Sequence, residues 1–176
     1  QLPRVPGRLP GALRAGRGLS MTIRKSRGAD AEMRALMTEL WGSAGVVLDG
    51  KRYDLTACDC LLCEDEKGLL GFLHYDARGD AWEILALDCP RSGAGAGTAL
   101  IREVAQLARD AGAKRLTVVT TNDNTAAMRF YQKRGFMLAD VRFGAVARSR
   151  KVKPEIPALG EDGIPILHEM VFEMEI

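Results

Sequence analysis

The sequence predicts a mixed α/β domain, with a mostly antiparallel mixed sheet of about six to seven strands flanked by helices. Three observations carry this. Short apolar runs split by glycine-containing turns fill residues 60–89. A glycine-rich turn then opens a segment with helical spacing, and a β-branched run, a second helical pattern and further strand-like runs follow it. A chain of 176 residues suits one domain that buries about two-thirds of its unfolded surface, and therefore one active site.

Residues 1–20 are rich in Gly, Pro and Arg and lack a hydrophobic period, so they are expected to be a disordered leader outside a domain covering 21–176. Met21 is the expected natural first residue, although an Arg-rich, acid-free leader also fits an organelle transit peptide. Thr22-Ile23-Arg24 reads as a strand. Asp30 can cap a helix whose apolar residues Met33, Leu36, Met37, Leu40 and Trp41 recur at three and four, stopped by Gly42. Residues 46–58, with Arg52, Tyr53 and Asp54, have no clear period and are expected to be a loop or short helix near the site.

Residues 60–64, 69–75 and 82–89, separated by turns at Lys67-Gly68 and Arg78-Gly79-Asp80, read as an antiparallel meander. Residues 98–111 place Leu100, Ile101, Val104, Ala105, Leu107 and Ala108 at helical spacing. The β-branched run Arg115–Thr121 suits a strand buried on both faces. Asn124 can cap a helix running through Lys133 and ending at Gly135. Residues 136–146 read as a strand. A basic, Pro- and Gly-containing stretch then leads to a last strand at 166–176, and so long an irregular connection in a small domain suggests a lid or substrate loop.

Composition narrows the function. The net charge is +2, yet residues 1–27 hold seven basic residues and no acidic one, which leaves 18 basic against 23 acidic residues beyond them. A mildly acidic body argues against nucleic-acid binding by bulk charge and suits a cationic substrate such as an amine. No apolar run reaches the roughly 20 residues needed to span a bilayer, so no membrane role is expected and the protein reads as cytoplasmic. Of the four cysteines, Cys58, Cys60 and Cys63 lie close together, but no second ligand pair complements them and His74 and His168 lack a ligand spacing. Reduced thiols and no metal are expected.

Arg91-Ser92-Gly93-Ala94-Gly95-Ala96-Gly97-Thr98 follows a strand and opens a helix, so unpaired N–H groups and the positive helix end face the turn. Glycines at alternate positions let backbone approach phosphate oxygens, and the Thr98 hydroxyl adds a further donor. A dinucleotide fingerprint fails because Thr98 or Leu100 stands where its third glycine belongs. A nucleoside-triphosphate loop fails because Gly97-Thr98 lacks the intervening lysine.

The segment from Asn124 to Phe136 reads Asn-x-x-Ala-x-x-hydrophobic-Tyr-x-basic-x-Gly-Phe. With the Gly95-x-Gly97-x-x-Leu100 turn ahead of it, the chain resembles the GNAT superfamily of acetyl-CoA-dependent N-acyltransferases over about residues 21–146. The chain departs at one point: the family usually has Gln or Arg three residues before Gly95, and this chain has Ser92, with Arg91 one place early.

The resemblance implies that the coenzyme pyrophosphate sits on the amides of Gly93, Ala94, Gly95, Ala96, Gly97 and Thr98, in a cleft where two central strands splay. It implies that the pantetheine arm bonds the backbone of the strand holding Leu85 and Leu87, and that Asn124 contacts the arm as well as capping its helix. Tyr131 matches the tyrosine that protonates the departing thiolate, and Glu83 stands where some members carry a base. Strand alternation puts Glu83, Leu85 and Leu87 on one face, with Glu83 beside an exposed Trp82. The implied reaction is direct acetyl transfer to a primary amine, a small molecule or amino-acid derivative before a protein lysine or N-terminus. A non-catalytic CoA-binding module is the alternative, and a homodimer is left open. The loop from 151 to 166, with Glu161 and Asp162, is expected to help frame the acceptor.

Overall fold

The computed structural model describes residues 8–14, 20–27, 31–43 and 45–176. In chain order these form β1 (Arg8–Arg14), β2 (Ser20–Arg27), α1 (Ala31–Trp41), β3 (Gly45–Leu48), β4 (Lys51–Asp54), β5 (Asp59–Asp65), β6 (Gly68–Asp76), β7 (Ala81–Asp88), α2 (Ala96–Asp110), β8 (Arg115–Thr121), α3 (Thr125–Gln132), β9 (Met137–Arg142), α4 (Ala145–Val152) and β10 (Glu169–Glu175). One sheet runs β1-β2-β5-β6-β7-β8-β10-β9, and β3 and β4 form a separate hairpin. Within the main sheet only β7 and β8 are parallel, because α2 carries the chain back across one face.

Each face holds its own core. On one, α2 buries Leu100, Ile101, Val104 and Ala108 against Leu61, Leu73, Ile84, Leu116 and Phe172, with Tyr131 and Phe136 closing the end. On the other, Met33 and Met37 of α1 meet Leu62, Phe72 and Leu85. Cys60 and Cys63 fall in different cores, as their opposite parity on β5 requires. The meander and both helical motif segments form where the periodicity places them. The Asp30 cap lies outside the described residues.

Four segments differ from expectation. Arg8–Arg14, expected outside the domain, pairs antiparallel with β2; edge pairing uses backbone groups, which leave no hydrophobic period in the sequence. Residues 46–58 hold a β-hairpin whose turn residues Asp49 and Gly50 have φ 48° and 78°. Asp-Gly after the Val46-Val47-Leu48 run is the primed-turn signal for such a hairpin. The strand expected at 136–146 stops at Arg142, and Gly144, at φ 67°, starts α4 inside the stretch expected to be irregular. Trp82 is 8% exposed, stacked on Tyr75 at 5.4 Å.

Candidate active site

The site opens where β7 and β8 part. Their parallel register runs from Ala81↔Arg115 to Ile84↔Val118 and stops there, while β7 stays paired to β6 as far as Asp88 and β8 to β10 through Thr121. The break has a local cause. The β6–β7 register slips between His74↔Ala86 and Tyr75↔Ile84, leaving Leu85 as an extra residue, and such a bulge bends its strand. Beyond it, the edges of 85–88 and 119–121 face one another with unpaired N–H and C=O groups, a slot for a ligand that bonds like a strand.

The bulge also corrects the alternation expected along β7. Leu85 and Ala86 both pack into the α1-side core, and Leu87 joins the core that holds Ile84. Glu83 and Leu85 therefore share a face, and Leu87 lies on the opposite one.

At the head of the slot the glycine turn enters α2. Gly93 and Gly95 take φ 88° and 80°, values that L side chains resist. Gly95 is the N-cap and supplies no side-chain cap to the first-turn amides; of these, the Gly97 N–H is directed at the Cys89 sulfur. Gly97 sits in close quarters, since a Cβ there would lie 3.0 Å from the Phe130 ring and 3.4 Å from the Cys89 sulfur and would push both aside. Arg91 does not face this cradle: its guanidinium grips Asp65 at 2.5 and 2.9 Å.

A different arginine reaches the turn. Arg134, just past α3, donates from Nε and Nη2 to the Thr98 hydroxyl at 3.0 and 2.6 Å, and from Nη1 to the Phe130 carbonyl at 2.7 Å. Its Cζ lies 3.5 Å above the Phe130 ring centroid. Sequence reading missed it, treating it as an unassigned residue in the tyrosine motif; the signal was a second basic residue beside Lys133.

Tyr131 is 7% exposed, with its ring edge-on to Phe130 and Phe136 at 5.3 and 5.5 Å. No hydrogen bond engages its hydroxyl among the described residues. Burial, with the nearby Cys89, pushes its pKa well above that of an ordinary phenol. Cys89 itself is a packed thiol, raised to about 11 by burial. Asn124 caps α3 through a 3.0 Å bond from the Ala127 N–H, its amide nitrogen left over.

Glu83 sits half-buried on the opposite face, and burial lifts its carboxyl above the ordinary range. Asp76 is its cross-strand partner. The charges of Arg142, Lys51 and Glu169 also reach it. Glu169, 2% exposed, accepts from the Asp49 N–H at 2.7 Å and from Arg142 at 3.3 Å. Over this floor the β3–β4 hairpin and α4 are tied together: the Gly50 N–H bonds the Ser149 hydroxyl and Arg52 bonds the Val152 carbonyl. Neither Arg142 nor Glu169 was singled out from sequence. Of the residues that were, Arg52 and Tyr53 lie on the hairpin, while the side chain of Glu161 lies outside the described residues.

The arrangement is a slot between β7 and β8, with the glycine turn of α2 and a buried phenol on one side of the sheet and a half-buried carboxylate on the other. Among the described residues no cluster of His, Cys, Asp and Glu has the makings of a metal site, and no helix is long and apolar enough to cross a membrane.

Comparison with known proteins places this geometry. Residues 30–136 match the model of the Acetyltransferase (GNAT) family. Two Bacillus subtilis (strain 168) proteins are each 36% identical: the uncharacterized protein YxbD, over 81% of this chain and 90% of its own, and the uncharacterized protein YdhI, over 77% and 86%. Among solved structures, the IAA acetyltransferase from Bacillus cereus superposes with a TM-score of 0.67 at 19% identity, over 89% of this chain and 100% of its own. A GNAT family acetyltransferase from Elizabethkingia anophelis, solved with acetyl-CoA bound, gives 0.63 at 18%, over 89% and 98%. At such identities the solved structures speak for the fold.

Proposed function

Since this chain belongs to the GNAT family of acetyltransferases, we propose that it moves the acetyl group of acetyl-CoA directly onto the nitrogen of a small primary amine or amino-acid derivative. The observation that carries the reading is the slot itself: the β7–β8 pairing ends at Ile84↔Val118, in the same core cluster as Tyr131 and Ala96, the first residue of α2. An extended pantetheine arm has amides that match the unpaired edge of 85–88, and a pyrophosphate matches the amides from Gly93 to Thr98.

On this reading Glu83 and Tyr131 divide the proton work. An alkylamine is protonated at neutral pH and attacks only after losing a proton. A carboxylate with a raised pKa is the better acceptor for it, directly or through water. As the nitrogen bonds the carbonyl carbon and the C–S bond breaks, charge builds on sulfur. The Tyr131 phenol, kept neutral by burial, donates to that sulfur. The nitrogen sheds a second proton as the amide forms, and that proton restores the phenol, while the proton first taken by Glu83 passes to solvent and the coenzyme leaves as its thiol.

The testing experiment is calorimetric titration with acetyl-CoA, comparing wild type with Gly95→Glu, which sets a side chain and a negative charge in the cradle. Micromolar binding by wild type, abolished in the variant, is the expected result. A wild type that binds no acetyl-CoA would sink the proposal.

A further inference from the structure

We propose that Arg134, acting with the Thr98 hydroxyl, clamps the pyrophosphate of the coenzyme, supplying from the end of α3 the side-chain contact that position 92 cannot make. The inference rests on the coenzyme site proposed above and assigns a positioning residue to it.

The hydrogen-bond inventory of the guanidinium is the starting point. Of its five N–H donors, Nε–H and one on Nη2 share the Thr98 oxygen, and one on Nη1 takes the Phe130 carbonyl. One N–H on Nη1 and one on Nη2 remain. These two are charged donors left to bond the oxygens of a phosphate. Stacking on Phe130 at 3.5 Å fixes the plane of the guanidinium, so little side-chain entropy is left to lose on binding.

Thr98 points the same way. Its oxygen already accepts twice from Arg134, which occupies both lone pairs, so its own hydroxyl proton must go to another acceptor. Thr98 is the third residue of α2, inside the turn whose amides make the cradle. A phosphate there would receive backbone N–H groups, the Thr98 hydroxyl and the Arg134 guanidinium together.

The charge is uncompensated. Among the described residues the hydrogen bonds of Arg134 go to neutral oxygens. Arg102, one turn beyond Thr98 on α2, adds a like charge that, after burial, presses the guanidinium toward its neutral form. Arg91, by contrast, is neutralised by Asp65. Two adjacent cations beside a positive helix end are at their most stable with an anion between them.

The test is calorimetry of CoA and of dephospho-CoA, which lacks the 3′-phosphate, on wild type, Arg134→Ala, Arg134→Lys and the control Arg109→Ala, with unliganded melting temperatures measured alongside. Expected are a loss of about 10- to 100-fold in affinity for both ligands in Arg134→Ala and a partial recovery in Arg134→Lys, since an ammonium lacks the planar array of donors of a guanidinium. Arg109→Ala binds as wild type does. A wild type that binds neither ligand defeats the coenzyme reading itself. A wild type that binds, with Arg134→Ala equal to it, defeats only the clamp. A penalty that vanishes with dephospho-CoA also overturns the assignment, because the arginine would then hold the 3′-phosphate. So does a fall in unliganded melting temperature that Arg134→Lys fully restores together with affinity, because the role would then be structural.

Discussion

The two faces of the sheet meet at one slot but are held together at very different sequence distances. On the α2–α3 face, the Thr98–Arg134 pair spans 36 residues and the α3 cap only three. On the opposite face, the contacts that hold the roof join residues about a hundred apart: Asp49 to Glu169 spans 120, Arg52 to Val152 spans 100, and Gly50 to Ser149 spans 99. A face built from local turns and caps can be stated in a short motif. A face built from distant hydrogen bonds can vary in sequence while keeping its backbone frame, which suits the side where acceptors differ.

Tyr131→Phe tests that division most severely. It keeps the ring in the Phe130–Phe136 cluster and removes only the hydroxyl, so coenzyme affinity should hold while kcat falls by about 10²- to 10⁴-fold, as for loss of a general acid. Steady-state kinetics paired with calorimetry separates the two readings. Unchanged kcat would make Tyr131 a packing residue and reopen the non-catalytic alternative.

Glu83→Gln comes next, with an expected loss of about 100-fold in kcat/KM for the acceptor and intact coenzyme binding. Its raised pKa sets the sign of the pH dependence. The wild-type rate should rise with pH through an ionisation lying above the ordinary carboxylate range, because the base works only when deprotonated. In the variant that acid limb should disappear. If the limb survives, the proton goes elsewhere, and Asp76 across the strand is the next residue to replace.

The same contrast explains what could be read before the fold was seen. The meander, Arg115–Thr121 and both motif helices follow from periodicity, caps and glycine stops, all of which act within a few residues. The splay of β7 from β8 followed only from the family resemblance, and its physical cause, the bulge at Leu85, has no mark in a run that reads as plain alternation. The roof was missed for two reasons. The Asp49-Gly50 turn was passed over, and α4 begins at a left-handed glycine within a Pro- and Gly-containing stretch that reads as irregular. Arg142 and Glu169 gain their importance from pairing across β9 and β10, which no local pattern encodes. Arg91 stands one place before the position where the family usually has Gln or Arg, but its charge is spent on Asp65, 26 residues away.

The smallest effect at neutral pH is expected from His74, and it tests whether acid sensitivity belongs to the acceptor side. His74 is fully buried between its cross-strand partners Cys60 and Ala86, edge-on to Phe72 at 5.7 Å, on the face that packs against α1. Neither ring nitrogen has a hydrogen-bond partner, and burial lowers its pKa from 6.5 to about 4. The folded state thus resists protonation that the unfolded chain accepts. Stability is complete above pH 6.5 and drains as pH falls toward 4, by about 3 kcal/mol over the whole window. His74→Leu removes both the unpaired nitrogens and the titration. At pH 7 it should be as stable as wild type or more so, since two buried polar atoms lose their desolvation cost. Denaturant unfolding at a series of pH values should then show a shallower profile for the variant than for wild type between 6.5 and 4, the shifted carboxyls supplying what slope remains. Equal slopes in the two proteins would mean that the acid-sensitive group lies elsewhere and that the α1 face tolerates a charged imidazole.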